Sequence, residues 1–179
     1  MTPRLSYAPG PATGARQIRA EGDSWQLVIV RELRHSPVKV WQALTDPAQL
    51  HEWAPFDADA SLGAAGNKVK LTTVGAPKPH VTETIVTRAD PPWTLVYNWG
   101  GNDMRWELEP VAEGTRVTLW TSINRRYIAM GAAGWHVCFD VLDRQLGGTP
   151  IGRIAGPDAM KVDGWQRLHA EYAKQFGAE

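Results

Sequence analysis

A long stretch in the middle of the chain alternates between short strand-like segments and turn residues. From Phe56 to Ile123, glycines and prolines interrupt runs of five to ten residues. In the clearest run, Asp103–Glu109, every second residue is apolar. Such alternation is typical of a strand with one face in the core and one face in water. The sequence therefore predicts an antiparallel meander of about six strands with one apolar face.

The apolar face of this sheet needs a cover, and one predicted helix is long enough to supply it. From Ala132 to Leu146, apolar side chains recur at helical spacing. They are Trp135, Cys138, Phe139, Leu142 and Leu146. His136 and Asp140 lie on the opposite side of this helix, where we expect them to be exposed. The prediction is that the helix packs lengthwise on the concave face of the sheet.

A first strand and two short helices are predicted before the meander. Trp25–Leu33 is rich in β-branched and aromatic residues, which favours a strand and brings the sheet to six or seven strands. Ser36-Pro37 and Asp46-Pro47 each combine an N-cap residue with a proline suited to the first helical position. The second helix should extend over Pro47–Trp53.

The two ends of the chain differ from each other. Met1–Gly22 is rich in proline and glycine and has no period, which predicts a flexible arm that is loosely ordered or laid over the domain and adds little to stability. Residues 23–179 should form one domain. This domain should end in a helix over Asp158–Phe176, since apolar residues recur there on one side.

Charge and cysteine content restrict the partners and the compartment. The 179 residues contain 19 Lys and Arg against 19 Asp and Glu, so no excess positive charge favours nucleic acid. No run approaches the roughly 20 apolar residues of a membrane span, and Met1–Arg19 has no continuous apolar stretch, so we expect no signal peptide. The single cysteine, Cys138, favours a reducing compartment. We expect a cytoplasmic protein whose partner is a small apolar molecule, with a protein partner as a further possibility.

Several short motifs occur in a specific order along the chain. They are Val40–Pro47, Trp53–Pro55, Trp106–Pro110, Gly114–Leu119 and Gly134-Trp135. Over roughly Trp25 to Gly148, their order and spacing resemble START-like proteins of the SRPBCC superfamily. The closer resemblance is to the C-terminal domain of activators of heat-shock-protein-90 ATPase. Eukaryotic members of that branch carry an additional N-terminal domain, which a 22-residue arm cannot replace.

The resemblance implies an α+β helix-grip fold. In this fold, a curved antiparallel sheet wraps around a long helix and encloses a deep cavity with ligand-binding potential. Inward aromatic residues either fill the core or line such a cavity. The candidates for the cavity wall are Trp53, Trp99, Trp106, Trp135, Phe139 and Leu142, and Thr121 is the candidate polar contact.

Glu83 is the one candidate for chemistry in the cavity. It lies between Val81 and Ile85 in a predicted strand. Facing inward with them, it would be a carboxylate in an apolar pocket, which is the usual setting of a general acid or base. In the opposite register, Thr82 and Thr84 would face inward instead.

Metal and cofactor motifs are missing from the sequence. The histidines are scattered without ligand spacing, and they are His35, His51, His80, His136 and His169. We find no phosphate loop, dinucleotide fingerprint or nucleophile elbow. Cys138, on the inward side of its helix, should be an inert buried thiol. The sequence therefore predicts neither a metal site nor a cofactor.

Three functions remain open at this point. The first is a non-catalytic carrier or sensor for a small apolar or aromatic molecule, because an apolar pocket with few polar anchors holds such ligands. The second is an enzyme of the cyclase or hydrolase type that uses Glu83. The third is a co-chaperone-like interaction protein, which an exposed apolar patch around Trp120 would support.

Overall fold

Nine strands and five α-helices make up the part of the chain that the computed structural model describes, which is residues 7–20, 24–75, 78 and 80–177. The strands are Ala15–Arg19 (β1), Trp25–Leu33 (β2), Phe56–Ala58 (β3), Lys68–Thr73 (β4), His80–Ile85 (β5), Arg88–Asp90 (β6), Thr94–Trp99 (β7), Asn102–Val111 (β8) and Gly114–Ile123 (β9). The helices are Pro37–Thr45 (α1), Pro47–Trp53 (α2), Ile128–Leu146 (α3), Pro157–Met160 (α4) and Trp165–Phe176 (α5).

The strands form two antiparallel sheets. The larger has six strands in the order β1-β2-β9-β8-β7-β6, and the smaller has the order β3-β4-β5. The long helix α3 lies against the inner face of the larger sheet, where the Trp106 ring of β8 is 5.7 Å from Trp135 and 5.9 Å from Phe139. The predicted α+β helix-grip architecture is confirmed.

The two short helices begin where the sequence predicts. The Ser36 hydroxyl accepts a hydrogen bond from the backbone N–H of Lys39 at 3.3 Å, and the Asp46 carboxylate accepts one from Ala48 at 3.1 Å. Asp46 has an extended backbone and both ends α1 and caps α2. The chain therefore turns sharply between two helices instead of continuing one.

Alternation along the central strands separates a dry face from a wet face. In β8, Met104, Trp106 and Leu108 are buried, whereas Arg105 and Glu109 are exposed. The neighbouring strand β9 follows the same pattern, with its alternate apolar residues turned towards α3. The predicted apolar face is confirmed, and it contributes most of the core between the sheet and the helix.

The N-terminal segment differs from the sequence-based expectation. Ala15–Arg19 is not a free arm, because it pairs as β1 with the outer edge of β2. Ahead of it, the Tyr7 hydroxyl donates to Asp140 of α3 at 2.5 Å, and Tyr172 of α5 donates to the Thr13 carbonyl at 3.1 Å. Without β1, the N–H and C=O groups along β2 would form an unpaired sheet edge. The expectation for Met1–Ser6 and for residues 21–22 lies outside the described residues.

The C-terminal helices also differ from expectation. The helix α3 starts at Ile128, one turn before the predicted start, and Gly164 (φ 89°) divides the predicted last helix into α4 and α5. Because α5 packs on the side of α3 that faces away from the sheet, His136 is buried, and its Nδ1 lies 2.7 Å from the Tyr172 hydroxyl. The prediction that His136 is exposed is wrong.

Candidate functional site

A cavity of about 430 Å³ lies beside the N-terminal half of α3, and we call it the α3 cavity. Met130, Gly131, Gly134, Trp135 and Cys138 of α3 form one wall. Four of these residues, from Gly131 to Cys138, follow the spacing i, i+3, i+4 and i+7, which places them on one face of the helix. The wall is therefore the direct consequence of the helical period.

The ends of β8 and β9 supply the polar part of the lining. Asn102, Thr121 and Ser122 line the cavity there. The Thr121 hydroxyl lies 3.2 Å from the sulfur of Met104, and the Ser122 hydroxyl accepts a hydrogen bond from the backbone N–H of Asp103 at 2.7 Å. Thr121 and Ser122 are consecutive in β9, so their side chains point to opposite faces of the sheet, and the buried Thr121 hydroxyl is the one on the inner face. These groups are uncharged hydrogen-bonding partners.

The segment Ile154–Pro157, together with Met160 and Trp165, forms the third wall. Its backbone touches the loop after β4 at two glycines. A Cβ atom on Gly75 would lie 3.2 Å from the Gly156 Cα and 2.8 Å from a Pro157 ring carbon. Both glycines have positive φ, which disfavours any other residue there. The third wall is thus held by direct contact between two backbones.

An ion pair anchors the start of this wall. Arg153 donates to the Asp57 carboxylate at 2.6 Å, and His51 lies 2.9 Å from the same oxygen. Partial burial alone would raise the pKa of Asp57, but the hydrogen bonds from Arg153 and His51 lower it below its ordinary value. Asp57 therefore stays ionised and holds Arg153 in place near neutral pH.

The mouth of the cavity lies at two flexible side chains. Met130 and Met160 line the cavity, yet their side chains are 44% and 53% exposed. Methionine has three rotatable bonds and adapts to differently shaped neighbours. The cavity therefore opens to solvent between α3 and α4.

The described lining residues carry no charge. Cys138 is the one ionisable group among them, and burial raises the pKa of its thiol to about 12. The thiol therefore stays protonated near neutral pH and is a weak nucleophile. The cavity is therefore an apolar space with a few neutral polar groups at the ends of β8 and β9.

The structure divides the predicted cavity residues into two groups. Trp99, Thr121 and Trp135 line the α3 cavity. The other inward candidates, Trp53, Trp106, Phe139 and Leu142, are buried in the hydrophobic core and do not line the α3 cavity. The core indoles are also satisfied, since Trp53 donates to the Ala43 carbonyl at 2.9 Å and Trp106 to the Tyr97 hydroxyl at 3.1 Å. Whether any of these residues binds a ligand stays a prediction.

Of the two registers that the sequence left open, β5 has the one in which Glu83 faces outward. Its side chain is 52% exposed and lies 3.8 Å from the Lys68 ammonium group. The pairing of β5 with β4 sets Glu83 opposite Lys70 on the wet face and the buried Thr84 opposite Val69 on the dry face. Val81 and Ile85 accompany Glu83 outward, so apolar neighbours at alternate positions were a misleading signal for its direction.

Sequence reasoning missed several residues of the cavity. Asn102, Ser122, Gly134, Trp165 and the segment Ile154–Pro157 were not among the candidates. One signal was available, because Gly131 and Gly134 fall on the same inward stripe as Trp135 and leave a stretch of the helix without side chains. The contribution of Ile154–Pro157 carried no such signal, since it depends on a long-range contact between loops.

The described residues do not support the other kinds of site considered from the sequence. No three His, Cys, Asp or Glu side chains converge there as metal ligands. None of the described helices is long and apolar enough to cross a bilayer. Trp120 is half-buried, and the Arg105 guanidinium lies 5.5 Å from its ring centre, so the apolar patch required by the interaction hypothesis is not formed there.

Solved structures with the same fold come from several bacteria. The protein MLL2253 from Mesorhizobium loti is 25% identical, with a TM-score of 0.59 over 69% of this chain and 98% of its own. CalU16 from Micromonospora echinospora is 20% identical, with a TM-score of 0.63 over 95% of this chain and 99% of its own. EF2215 from Enterococcus faecalis, a conserved protein of unknown function, is 17% identical, with a TM-score of 0.65 over 92% of each chain.

Comparison with curated proteins finds no match. A family model described as Activator of Hsp90 ATPase homolog 1-like protein matches residues 34–147. This range extends from the start of α1 to the end of α3 and includes most of both sheets. The structural neighbours share the same fold over most of their length. The chain therefore belongs to the family of Activator of Hsp90 ATPase homolog 1-like proteins.

Proposed function

We propose that this protein binds a small, uncharged apolar or aromatic molecule in the α3 cavity and acts as a non-catalytic carrier or sensor. The observation that carries the proposal is the cavity itself, with a volume of about 430 Å³ and a mostly apolar lining. Small-molecule sites typically measure about 300–1,000 Å³ and combine apolar walls with a few polar groups that fix orientation. Asn102 and Thr121 are such groups.

The lining favours a ligand without charge. Moving an ionised group from water into an apolar site costs several kcal/mol unless a counter-charge or dedicated hydrogen bonds compensate. The described lining residues offer no counter-charge, and the Cys138 thiol is protonated. Aromatic or other apolar ligands instead gain from contact with Trp99, Trp135 and Trp165.

A carrier or sensor also fits the chemistry of the lining better than an enzyme does. The cyclase or hydrolase hypothesis depended on Glu83, whose side chain is on the outer face of the smaller sheet. Cys138 does not replace it, because burial keeps its thiol protonated. Binding alone requires only the shape and polarity that the walls already provide.

The test compares two fluorescent probes with the same ring skeleton. N-phenyl-1-naphthylamine is neutral, whereas 1-anilinonaphthalene-8-sulfonate carries an additional sulfonate. We expect saturable binding of the neutral probe with a dissociation constant on the order of micromolar, and at least about tenfold weaker binding of the anion. No saturable binding of the neutral probe would contradict the proposed function. Equal binding of the two probes would contradict the uncharged ligand class.

A second experiment searches for the natural ligand. The protein is purified from its own host under native conditions, denatured and extracted, and the extract is analysed by mass spectrometry. We expect a small uncharged compound in stoichiometric amount that displaces N-phenyl-1-naphthylamine from the refolded protein. A compound that is enriched but fails to displace the probe would place its binding outside the α3 cavity.

A further inference from the structure

The glycine at position 134 is unusual for the interior of a long helix. Gly134 lies in the second turn of α3, and its φ is not positive, so its backbone does not require glycine. Glycine in a helix interior is less favourable than alanine, because it loses more conformational freedom on folding. The fold therefore gives up stability at this position.

The two glycines of this helix face differ in what surrounds them. A Cβ atom on Gly131 would lie 2.6 Å from the Cδ1 atom of Ile123, so a side chain there would require the end of the Ile123 side chain to move. A Cβ atom on Gly134 would meet no atom within 4 Å. No described residue fills the space beside the Gly134 Cα atom. That space belongs to the α3 cavity, since Gly134 is one of its lining residues.

We propose that Gly134 determines the size of the ligand, which lies against the bare backbone of α3 at this position. The proposal rests on the proposed function, because it needs a ligand in the α3 cavity. A side chain at position 134 would enter the cavity, because its Cβ atom would meet no protein atom within 4 Å. It would therefore shorten the space for a ligand and leave the fold intact.

Substitution at Gly134 should separate stability from binding. Gly134→Ala should raise the melting temperature by about 2–4 °C, because alanine is the better helix former and meets no obstacle. Gly134→Leu should fold as well as the wild type and should bind N-phenyl-1-naphthylamine on the order of tenfold more weakly, since its side chain occupies the ligand's space. Gly134→Ala should weaken this binding less than Gly134→Leu does.

A smaller probe distinguishes a loss of space from a damaged site. 2-Naphthol is neutral and lacks the phenylamino group of N-phenyl-1-naphthylamine. In Gly134→Leu, we expect its affinity to change much less than that of the larger probe. The control Ala170→Leu adds a leucine on the exposed side of α5 and should leave the binding of both probes unchanged. Isothermal titration calorimetry gives both affinities, and thermal denaturation monitors folding.

The outcomes discriminate between the two proposals. Binding of the larger probe by the wild type and equally well by folded Gly134→Leu would overturn the role of Gly134 and leave the proposed function standing. A lower melting temperature for Gly134→Ala would also overturn it, because the glycine would then be needed by the fold. If the wild type itself binds neither probe, the proposed function fails, and the role of Gly134 fails with it.

Discussion

The two halves of α3 pack against the same sheet in different ways. The C-terminal half is enclosed on both sides, with Phe139 and Leu142 fully buried against the sheet and Asp140 covered by Tyr7 on the other side. The N-terminal half faces the α3 cavity, and Met130 at its start is 44% exposed. One continuous amphipathic helix therefore has a solid half and an open half.

The difference between the two halves is due to the size of the side chains that pack there and not to the apolar stripe of the helix. Opposite the middle of the helix stands Trp106, whose ring contacts both Trp135 and Phe139 and fills the distance between sheet and helix from there towards the C-terminal half. Opposite the N-terminal half the strands end in small polar residues, Thr121 and Ser122, and the helix itself contributes Gly131 and Gly134. An apolar stripe thus fixes which side of a helix faces inward, whereas side-chain volume on both surfaces decides whether that side is filled.

The largest loss of stability should come from truncating Trp106, whose side chain fills the core between the sheet and α3. Trp106→Ala should lower the free energy of unfolding by about 3–5 kcal/mol, because it leaves a void and an unpaired Tyr97 hydroxyl. The buried Leu44→Ala serves as a reference for solid core, and we expect Trp106→Ala to cost at least as much. Urea denaturation measures both. A clearly smaller cost for Trp106→Ala would mean that its surroundings are not solid.

A somewhat smaller loss of stability should follow from removing the N-terminal segment, which covers α3 on the side away from the sheet. Deletion of residues 1–19 removes β1 and the hydrogen bond from Tyr7 to Asp140. We expect the melting temperature to fall by roughly 4–8 °C, which corresponds to the loss of about 2 kcal/mol. Tyr7→Phe, which removes only the hydroxyl, should give part of this loss. An unchanged melting temperature would restore the original expectation of an arm that adds little.

The pH dependence of stability should trace to the side of α3 that faces away from the sheet, where His136 packs against α5. Burial lowers the pKa of His136 below its ordinary value of 6.5, and this outweighs the opposing effect of Asp140, whose carboxylate lies 3.6 Å away. Tyr172, Arg31, Arg167 and Glu171 also face or influence this imidazole. Below about pH 6.5 the unfolded chain binds a proton that the folded protein does not, so stability falls as the pH decreases.

His136→Gln tests this assignment, because glutamine keeps a hydrogen-bonding side chain that does not titrate. The free energy of unfolding should depend less on pH between 7.5 and 5.5 in the variant than in the wild type. Urea denaturation at several pH values measures the two slopes. Parallel slopes would assign the pH dependence to another group.

The smallest effect on stability is expected in the open half. Met130→Ala should change the free energy of unfolding by no more than about 0.5 kcal/mol, because the side chain is half exposed. The same change should weaken binding of N-phenyl-1-naphthylamine by about fivefold, since it removes apolar contact at the mouth. Loss of stability without loss of binding would contradict the open arrangement of this half.

Local signals in the sequence were sufficient for the two short helices and the central strands. The caps at Ser36 and Asp46 act within one helical turn, and the alternation in Asp103–Glu109 acts within one strand. Each can therefore be interpreted without knowing the rest of the structure. The family resemblance then supplied the way in which these elements assemble.

The candidate site was predicted only in part, because it depends on contacts between distant segments. Sequence reasoning treated Trp106 and Trp135 alike, although one fills the core and the other also borders the cavity. Glu83 was uncertain because its direction depends on the register of β5 with β4. The third wall at Ile154–Pro157 could not be predicted, since it requires the approach of Gly156 to Gly75.

The contact between Gly75 and Gly156 limits where a ligand could enter or leave the α3 cavity. At Gly75 and Gly156 the wall consists of backbone against backbone, with no side chain that could rotate aside. A molecule could leave there only if the two loops moved apart as a whole, which is slower than a change of rotamer. At the mouth, by contrast, Met130 and Met160 can reorient within nanoseconds. We therefore expect entry and exit through the methionine side, so that residence time depends on these two side chains and not on the glycine pair.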